Sequence, residues 1–290
     1  MLPALLQTIR PRQWTKNAVI FAALVFDGQL FDAIPFLRTV AGFGLLCLLS
    51  SSVYIINDLA DIDKDRLHPK KRNRPLAAGR LDRRVALAAA LFLPAVVLPL
   101  GFALDWRFGL IAVSYLAANL LYSLKLKNVV IVDVLIVALG YLLRVGAGVA
   151  LITIARFSPW LYICMTLLAL FLGFGKRRAE LVLMARQAGD SHQVLKDYSL
   201  SFLDELINMV STATILAYSL YTFSAENLPE NHAMMLTIPF VLYGIFRYLY
   251  LIHIKGEGGA PDELILTDRP LQVTFALWGL SSVLILYLSA

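Results

Sequence analysis

Residues 36–65 read FLRTVAGFGLLCLLSSSVYIINDLADIDKD, a long apolar run that ends in a cluster of carboxylates. A helix needs about twenty mostly apolar residues to cross the hydrocarbon core of a membrane, and Phe36–Ile56 has that length. If the helix continues past the membrane, its periodicity places Asp58, Asp61 and Asp65 on one face and turns Asp63 away. The pattern therefore predicts a spanning helix that carries an acidic stripe beyond the membrane.

The composition of the whole chain excludes a soluble domain. Of its 290 residues, 59% are hydrophobic and 16% are charged, and the mean hydropathy is +0.71. Soluble domains carry about 25% charged residues because their surface is hydrated. The two cysteines lie in apolar runs and the four histidines are scattered, so neither a disulfide framework nor a thiol or histidine metal site is expected.

Apolar runs predict an all-α membrane protein with nine spans. The first, Ala18–Phe26, is too short by itself and reaches spanning length only if its helix continues to about Phe31. The other eight predicted spans are Phe36–Ile56, Val85–Leu104, Phe108–Leu124, Val129–Ile154, Trp160–Phe174, Leu206–Phe223, Met234–His253 and Leu271–Leu288.

The basic residues predict the orientation of these spans. With a cytoplasmic N-terminus, 21 of the 26 lysines and arginines fall on the cytoplasmic side, as the positive-inside rule requires. The net charge of +6 is then explained by topology and by anionic ligands, and a nucleic-acid partner is not expected. We expect a single domain over residues 1–290, with cytoplasmic segments at about 57–84, 176–201 and 255–270 that cap a site. The sequence leaves open whether the protein forms a homo-oligomer.

The acidic stripe predicts a divalent-cation site. Three carboxylates on one face repel each other unless a cation lies between them, and Mg²⁺ prefers a few carboxylates together with substrate phosphates. Asp58, Asp61 and Asp65 are the candidate metal ligands. The alternative is a solvated, charge-rich helix end, although such an end more often mixes charges of both signs.

A basic loop follows the acidic stripe directly. Arg66, Lys70 and Arg74 are its candidate ligands for a diphosphate, because arginine and lysine donors beside a carboxylate-bound Mg²⁺ suit that group. Two prolines and Gly79 favour a constrained loop over a helix. Positive-inside bias alone is the alternative explanation.

Three further regions carry candidate ligand-binding residues. Arg144 lies deep in the fifth span and Tyr141 shares its face, so they are expected to contact a phosphate or line a cavity. Asp133 on the same face leaves open that Arg144 is merely supported within its helix. Lys16, in a basic and aromatic opening segment, is a further candidate, as are Lys176, Arg177 and Glu180 on one face after the sixth span. A plain cytoplasmic anchor is the alternative for that last group.

These motifs resemble the UbiA superfamily of intramembrane prenyltransferases. The resemblance covers the whole chain and rests on NDxxDxxxD at Asn57–Asp65 with the trailing HPxKxxRPLxxG. It implies nine helices around a central cavity, with Asn57 assisting the three aspartates in catalysis. The DxxxD motif that aromatic members carry after the sixth span is missing here, and a basic GKRRAEL stands in its place.

Four segments resemble the branch of that superfamily that acts on decaprenyl phosphate. They are RPRQWxKN at Arg10–Asn17, LRxxAG at Leu143–Gly148, GKRxAEL at Gly175–Leu181 and the loop with Asp268 and Arg269. This resemblance implies a Mg²⁺-dependent phosphoribosyltransferase of the plasma membrane with its site on the cytoplasmic face. Phosphoribosyl diphosphate would be the soluble substrate and a polyprenyl phosphate the lipid acceptor, in the synthesis of cell-wall arabinan precursors. An aromatic prenyltransferase, such as one acting on 4-hydroxybenzoate, and a non-enzymatic lipid or anion transporter remain the alternatives.

Overall fold

Every regular element of the described residues is helical, so the predicted all-α fold is confirmed. The computed structural model describes residues 2–67, 71–153, 158–187, 197–256, 264 and 267–288. The α-helices are α1 (Leu2–Thr8), α2 (Phe21–Phe26), α3 (Ala33–Ala60), α4 (Ile62–Leu67), α5 (Arg83–Leu104), α6 (Trp106–Leu124), α7 (Val132–Leu151), α8 (Pro159–Gln187), α9 (Leu200–Ser224), α10 (Ile238–Tyr250) and α11 (Arg269–Leu288). Short 3₁₀-helices lie at Pro11–Ile20, Lys71–Asn73, Leu126–Asn128 and Ala233–Thr237, and a π-helical turn at Leu251–Lys255.

Eight elements among the described residues are long and apolar enough to cross a membrane. They are α3, the five helices from α5 to α9, α11, and the continuous element Ala233–Lys255 that contains α10. They match the eight longer predicted spans. The protein is therefore a multi-pass membrane protein.

The predicted first span has another form. Pro11–Ile20 is 3₁₀-helical, and α2 contains only six residues before the chain turns at Gly28. A 3₁₀-helix rises about 2.0 Å per residue against about 1.5 Å in an α-helix, so Pro11–Phe26 extends roughly 29 Å, close to the hydrocarbon thickness. A ninth crossing thus depends on extended winding rather than on a longer apolar run, and it stays a prediction.

Two spanning helices continue beyond their predicted ends. The third helix runs from Ala33 to Ala60 and so includes Asn57 and Asp58 of the acidic motif. The eighth continues to Gln187 and so includes the basic cluster that follows Gly175. Hydropathy marks where a segment leaves the membrane, whereas backbone hydrogen bonding lets the helix carry charged residues further.

The chain forms two compact units. The first unit contains Met1–Leu24, Gln29–Lys125 and Leu143–Thr153, and the second contains Val25–Gly28, Leu126–Leu142 and Ile154–Ala290. The single domain predicted from the sequence stays a prediction.

The first unit is built around α3, which packs against α5, α6 and the 3₁₀-helix Pro11–Ile20. Its largest buried side chains include Ile20, Leu49 and Phe108. A Cβ added to Gly148 would lie 2.0 Å from the carbonyl oxygen of Ile20, so only glycine permits this close approach. Gly148 therefore permits the close packing of these two segments.

The second unit is built around the pairs α8 with α9 and α10 with α11. Phe171 and Tyr248 meet edge to face with ring centroids 5.1 Å apart in its larger core. A smaller core contains Tyr218, Tyr221 and Met234.

Candidate active site

Two carboxylates of the acidic motif meet one guanidinium in the first unit. Asp58, near the end of α3, is 2% exposed, and Asp65, in α4, is 3% exposed. Arg74 Nη1 donates to Asp58 Oδ1 at 3.1 Å and to Asp65 Oδ2 at 2.7 Å. The two carboxylate oxygens are therefore less than two hydrogen-bond lengths apart, although they belong to different helices.

The helix joint at Asp61 preserves this convergence. Asp61 caps the C-terminus of α3 with φ −105° and ψ 12°, and α4 begins at the next residue. The amide of Asp61 still donates to Asn57 O at 3.0 Å, and the amide of Asp65 to Asp61 O at 2.8 Å. The sequence predicts one continuous helix here. The structure has a joint that keeps Asp58 and Asp65 together, with Asp61 half-buried between them.

Asn57 is held by α6. Its side-chain oxygen accepts a hydrogen bond from the hydroxyl of Ser123 near the end of that helix. Nothing in the sequence around Ser123 marks it as a partner of the acidic motif. The contact fixes the side chain of Asn57, the residue before Asp58.

A second guanidinium, from Arg10, reaches the same carboxylate. Arg10 Nη2 donates to Asp58 Oδ1 at 2.5 Å, and its guanidinium carbon lies 5.3 Å from the ring centroid of Tyr54. Tyr54 and Asp58 are one turn apart on α3, so one face of that helix presents both partners. Arg10 was not among the predicted ligands, although it belongs to the basic and aromatic opening segment.

A tight turn positions Arg74. The carbonyl of Arg74 accepts from the amide of Ala78 at 2.8 Å, and that of Pro75 accepts from the amide of Leu81 at 3.1 Å. Leu76 and Leu81 are buried in one apolar cluster, and Gly79 has φ +71°. The predicted constrained loop is confirmed for this part of the segment.

Arg66, another predicted phosphate ligand, contacts groups other than Asp58 and Asp65. Arg66 is exposed, donating to Asp63 at 3.3 Å and to the carbonyl of Ala77 at 3.4 Å. Asp63 is itself 85% exposed, as its predicted outward direction requires. Lys70 lies outside the described residues, and Lys16 is half-buried in the 3₁₀-helix. Their ligand roles stay predictions.

The carboxylates of the first unit provide only some of the ligands that Mg²⁺ needs. Among the described residues, no group of three or more His, Cys, Asp or Glu is disposed to hold a metal ion. Asp58 and Asp65 nevertheless converge, and Mg²⁺ is commonly bound by one or two carboxylates that are completed by substrate phosphates and water. These two residues therefore suit an ion that arrives with a diphosphate, and a metal role for Asp61 stays a prediction.

Arg144 lies in a polar cluster of the first unit. It is 6% exposed, and it donates to Asn17 Oδ1 at 2.7 Å and to the Tyr115 hydroxyl at 2.8 Å. Its guanidinium carbon lies 4.8 Å from the Tyr115 ring centroid. Asn17 in turn donates to Ser50 at 3.2 Å. The sequence left open whether Asp133 supports Arg144; the structure supplies Asn17 and Tyr115.

Asp133 belongs instead to a buried cluster of the second unit. It is fully buried, and it accepts from Arg177 Nε at 2.6 Å and from the Tyr198 hydroxyl at 2.9 Å. Arg177 also donates to Glu180 at 2.6 Å. The Tyr198 hydroxyl accepts from the amide of Ile131, whose φ of +69° is unusual for a β-branched residue.

This cluster constrains Arg177 and Tyr198. Burial raises the pKa of the Tyr198 phenol, and the hydrogen bond it donates to Asp133 raises that pKa further. Arg177 is 7% exposed between two carboxylates, which suits a supporting role. Lys176 is 47% exposed and lies 3.9 Å from Glu180, while Tyr141 is half-buried in α7. The predicted ligand roles of these residues are not tested by the geometry.

Comparison with known proteins identifies the family. Residues 18–261 match the model of the UbiA prenyltransferase family. The chain belongs to this family. Its relatives include decaprenyl-phosphate phosphoribosyltransferase of Mycolicibacterium smegmatis, which is 32% identical across 96% of this chain and 91% of the relative. The enzyme of the same name from Corynebacterium glutamicum is 31% identical across 98% of this chain and 87% of the relative.

Solved structures agree with the UbiA fold. A UbiA homolog from Archaeoglobus fulgidus bound to GPP and Mg²⁺ superposes on this protein with a TM-score of 0.74. The match covers 98% of this chain and 99% of the homolog. The two sequences are 20% identical, so the likeness supports the fold alone. The resemblance inferred from the acidic motif and the HPxKxxRPLxxG loop is thus confirmed at the level of the family.

Within this UbiA protein, sequence reasoning missed the partners that hold the functional side chains. Arg10 could have been found from its place in the opening motif. Asn17 belongs to the same motif, whereas Ser123 and Tyr115 have no local signal, because each acts across helices that only the fold brings together.

Proposed function

We propose that this protein transfers a 5-phosphoribosyl group from phosphoribosyl diphosphate to a polyprenyl phosphate, with decaprenyl phosphate as the acceptor. One observation carries the choice of substrates. The chain is similar, over nearly its whole length, to phosphoribosyltransferases named for decaprenyl phosphate. The products are polyprenylphosphoryl-5-phosphoribose and pyrophosphate, and the lipid product serves as a precursor of cell-wall arabinan.

The reaction exchanges two bonds at the anomeric carbon of the ribose. The bond to the diphosphate oxygen breaks and its electron pair leaves with pyrophosphate, while an oxygen of the lipid phosphate forms the new bond from the opposite face. The configuration inverts from α to β. A phosphate monoester has its second pKa at about 6, so the acceptor is largely ionised at neutral pH and needs no strong general base.

The first unit provides the groups that this chemistry needs. Asp58 and Asp65 offer buried carboxylate oxygens to a divalent cation, and Ser123 holds the side chain of Asn57, the residue before Asp58. Bound Mg²⁺ would neutralise charge on the diphosphate and make it a better leaving group. Arg10 and Arg74 are placed to donate to phosphate oxygens, which stabilises the charge that develops on departure.

The site belongs on the cytoplasmic face of the plasma membrane. The acidic motif lies at the C-terminal end of α3 and in α4, and the neighbouring basic residues are those that the positive-inside rule assigns to the cytoplasm. Phosphoribosyl diphosphate is a soluble, highly charged molecule, and the polyprenyl chain of the acceptor remains in the bilayer.

A paired assay tests this function. Purified protein with Mg²⁺ receives decaprenyl phosphate and phosphoribosyl diphosphate in one reaction, and a prenyl diphosphate with 4-hydroxybenzoate in another. Mass spectrometry should detect the phosphoribosyl lipid in the first reaction alone. Prenylated 4-hydroxybenzoate without the phosphoribosyl lipid would overturn the proposal in favour of an aromatic prenyltransferase.

The acidic motif supplies a matched pair of variants for the first reaction. Asp58→Asn should lower the rate of phosphoribosyl transfer by roughly a hundredfold or more, because a neutral amide replaces a negatively charged carboxylate that binds the cation. Asp63→Asn changes an exposed carboxylate of the same motif and should retain near-normal activity. Asp61→Asn tests the remaining predicted ligand in the same way.

A further inference from the structure

Asp58 and Asp65 are two buried carboxylates whose charge is balanced by two arginines of the same chain. Asp58 Oδ1 accepts from Arg10 at 2.5 Å and from Arg74 at 3.1 Å, and Asp65 Oδ2 accepts from Arg74 at 2.7 Å. Buried carboxylates without such partners are strongly destabilising. The four side chains together therefore carry no net charge.

A divalent cation would use the same oxygens. Asp58 Oδ1 already accepts from both guanidiniums and Asp65 Oδ2 from one, so a divalent cation bound between these oxygens would lie next to two positive groups and repel them. Replacing two guanidiniums by one divalent ion keeps the charge balanced. The released guanidiniums then need new acceptors, and phosphate oxygens match their planar, forked donors.

Both arginines are placed for such an exchange. Arg10 has a left-handed backbone, with φ +52°, directly before Pro11 at the start of the 3₁₀-helix. A non-glycine residue persists in this conformation only when its surroundings hold it there. Tyr54 provides a second contact for its guanidinium, and Arg74 is fixed by its tight turn. Each side chain is 29% exposed, so an incoming anion has access to it.

We propose that Arg10 and Arg74 are built-in counter-cations that compete with the divalent ion for Asp58 and Asp65 and move to the diphosphate when it binds. The metal alone then binds weakly, because it must displace both arginines. The metal with a diphosphate binds cooperatively, because the anion stabilises the displaced guanidiniums. This inference rests on the proposed function only in assigning a diphosphate and a divalent cation to the site.

Mn²⁺ binding to the purified full-length protein tests the exchange without phosphoribosyl diphosphate or lipid. Free Mn²⁺ is measured by electron paramagnetic resonance, with and without pyrophosphate and corrected for the complex that the two form in solution. In the wild type, pyrophosphate should tighten Mn²⁺ binding about tenfold. Arg74→Gln and Arg10→Gln should each bind Mn²⁺ alone several-fold more tightly than the wild type and should lose most of the enhancement by pyrophosphate.

Exposed neighbours provide matched controls. Arg72→Gln and Arg12→Gln remove the same charge from the same two segments and should behave as the wild type does. Melting temperatures in EDTA add a second readout, since Arg74→Gln should melt below the wild type in EDTA and recover with Mn²⁺.

Two results would overturn the competition. In the first, both Arg10→Gln and Arg74→Gln bind Mn²⁺ alone with the same affinity as the wild type or more weakly. In the second, pyrophosphate tightens Mn²⁺ binding as much in both variants as in the wild type. If the Mn²⁺ affinities change as predicted but the protein does not transfer phosphoribosyl, the proposed substrate is wrong and the competition stands. The two proposals are therefore separable.

Discussion

At Arg144, a charged side chain is held within a membrane-spanning helix by uncharged partners of its own unit. The hydroxyl of Tyr115 and the amide oxygen of Asn17 accept from its guanidinium, and the Tyr115 ring lies against it. Intramembrane arginines are costly unless such partners are provided. The cluster also explains why Asn17 and Ser50, both polar, are buried in the first unit.

Removing this arginine tests the cluster. We expect Arg144→Leu to lower the free energy of unfolding by about 1–3 kcal/mol, because it leaves the Asn17 and Tyr115 acceptors unsatisfied. Arg144→Lys should lose less, since an ammonium can still donate. Unfolding in detergent, followed by intrinsic fluorescence, measures the difference.

Arg38 is the control for Arg144. It donates to Asp105 from a side chain that is 36% exposed, so Arg38→Leu should cost less than about 1 kcal/mol. Equal losses for Arg38→Leu and Arg144→Leu would mean that the buried cluster contributes nothing specific.

At the scale of single elements, the start of α11 depends on one carboxylate. Asp268 precedes the helix and accepts from the amide of Leu271 at 3.0 Å, which caps the N-terminus. Arg247 on α10 donates to the same carboxylate twice, at 3.2 and 2.8 Å. Asp268 thus joins the start of α11 to α10. It is also an ion-pair partner for Arg247, a charged residue inside a predicted span.

Two substitutions separate these roles of Asp268. Asp268→Ala removes both the cap and the ion pair and should destabilise the protein by about 1–2 kcal/mol. Asp268→Asn keeps an oxygen for Leu271 and should lose less. The hydrogen bond from Arg247 lowers the pKa of Asp268, so its contribution is complete above pH 3.8 and is lost as the pH falls through the lowered value. If the stability difference between wild type and Asp268→Ala did not narrow as the pH fell below 3.8, the assigned role of the ionised Asp268 carboxylate would be wrong.

At the scale of the whole molecule, the unusual first segment determines on which side the chain ends. The eight long elements of the described residues would make nine crossings if Pro11–Phe26, a segment of about 29 Å, also crosses. Eight crossings would return the C-terminal helix to the starting side. The positive-inside rule favours nine, because Lys125 shares a side with Arg10, Arg12 and Lys16 only if Pro11–Phe26 crosses as well as α3, α5 and α6.

Reporter fusions test the crossing number. Alkaline phosphatase fused after Leu288 should be active, because it lies outside the cytoplasm, and a fusion after Lys127 should be inactive. Green fluorescent protein at the same two positions should give the opposite pattern. The side of the N-terminus decides whether Pro11–Phe26 crosses: green fluorescent protein fused before Leu2 and after Lys127 should fluoresce in both cases. Fluorescence of the Lys127 fusion alone would show that Pro11–Phe26 does not cross, because only the three spans α3, α5 and α6 would then separate the two sites.

Much of this protein could be predicted from local pattern. The eight long spans follow from apolar length, and Asp58 and Asp65 follow from helical periodicity and the motif around them. The joint at Asp61 could not be predicted, because the acidic sequence suits a continuous helix equally well. The 3₁₀ winding of Pro11–Ile20 was likewise hidden, since hydropathy carries no information on the rise per residue.

The sequence by itself determined a multi-pass, all-helical membrane protein of the UbiA family with a carboxylate motif beside basic residues. These properties depend on composition, on periodicity within one helix and on a contiguous motif. Only the tertiary structure decided which arginines reach Asp58 and Asp65, that Asn17 and Tyr115 support Arg144, and that Asp133 binds Arg177 and Tyr198. The physical reason is that each of these contacts joins side chains of different structural elements, and their distances depend on how the elements of a unit pack.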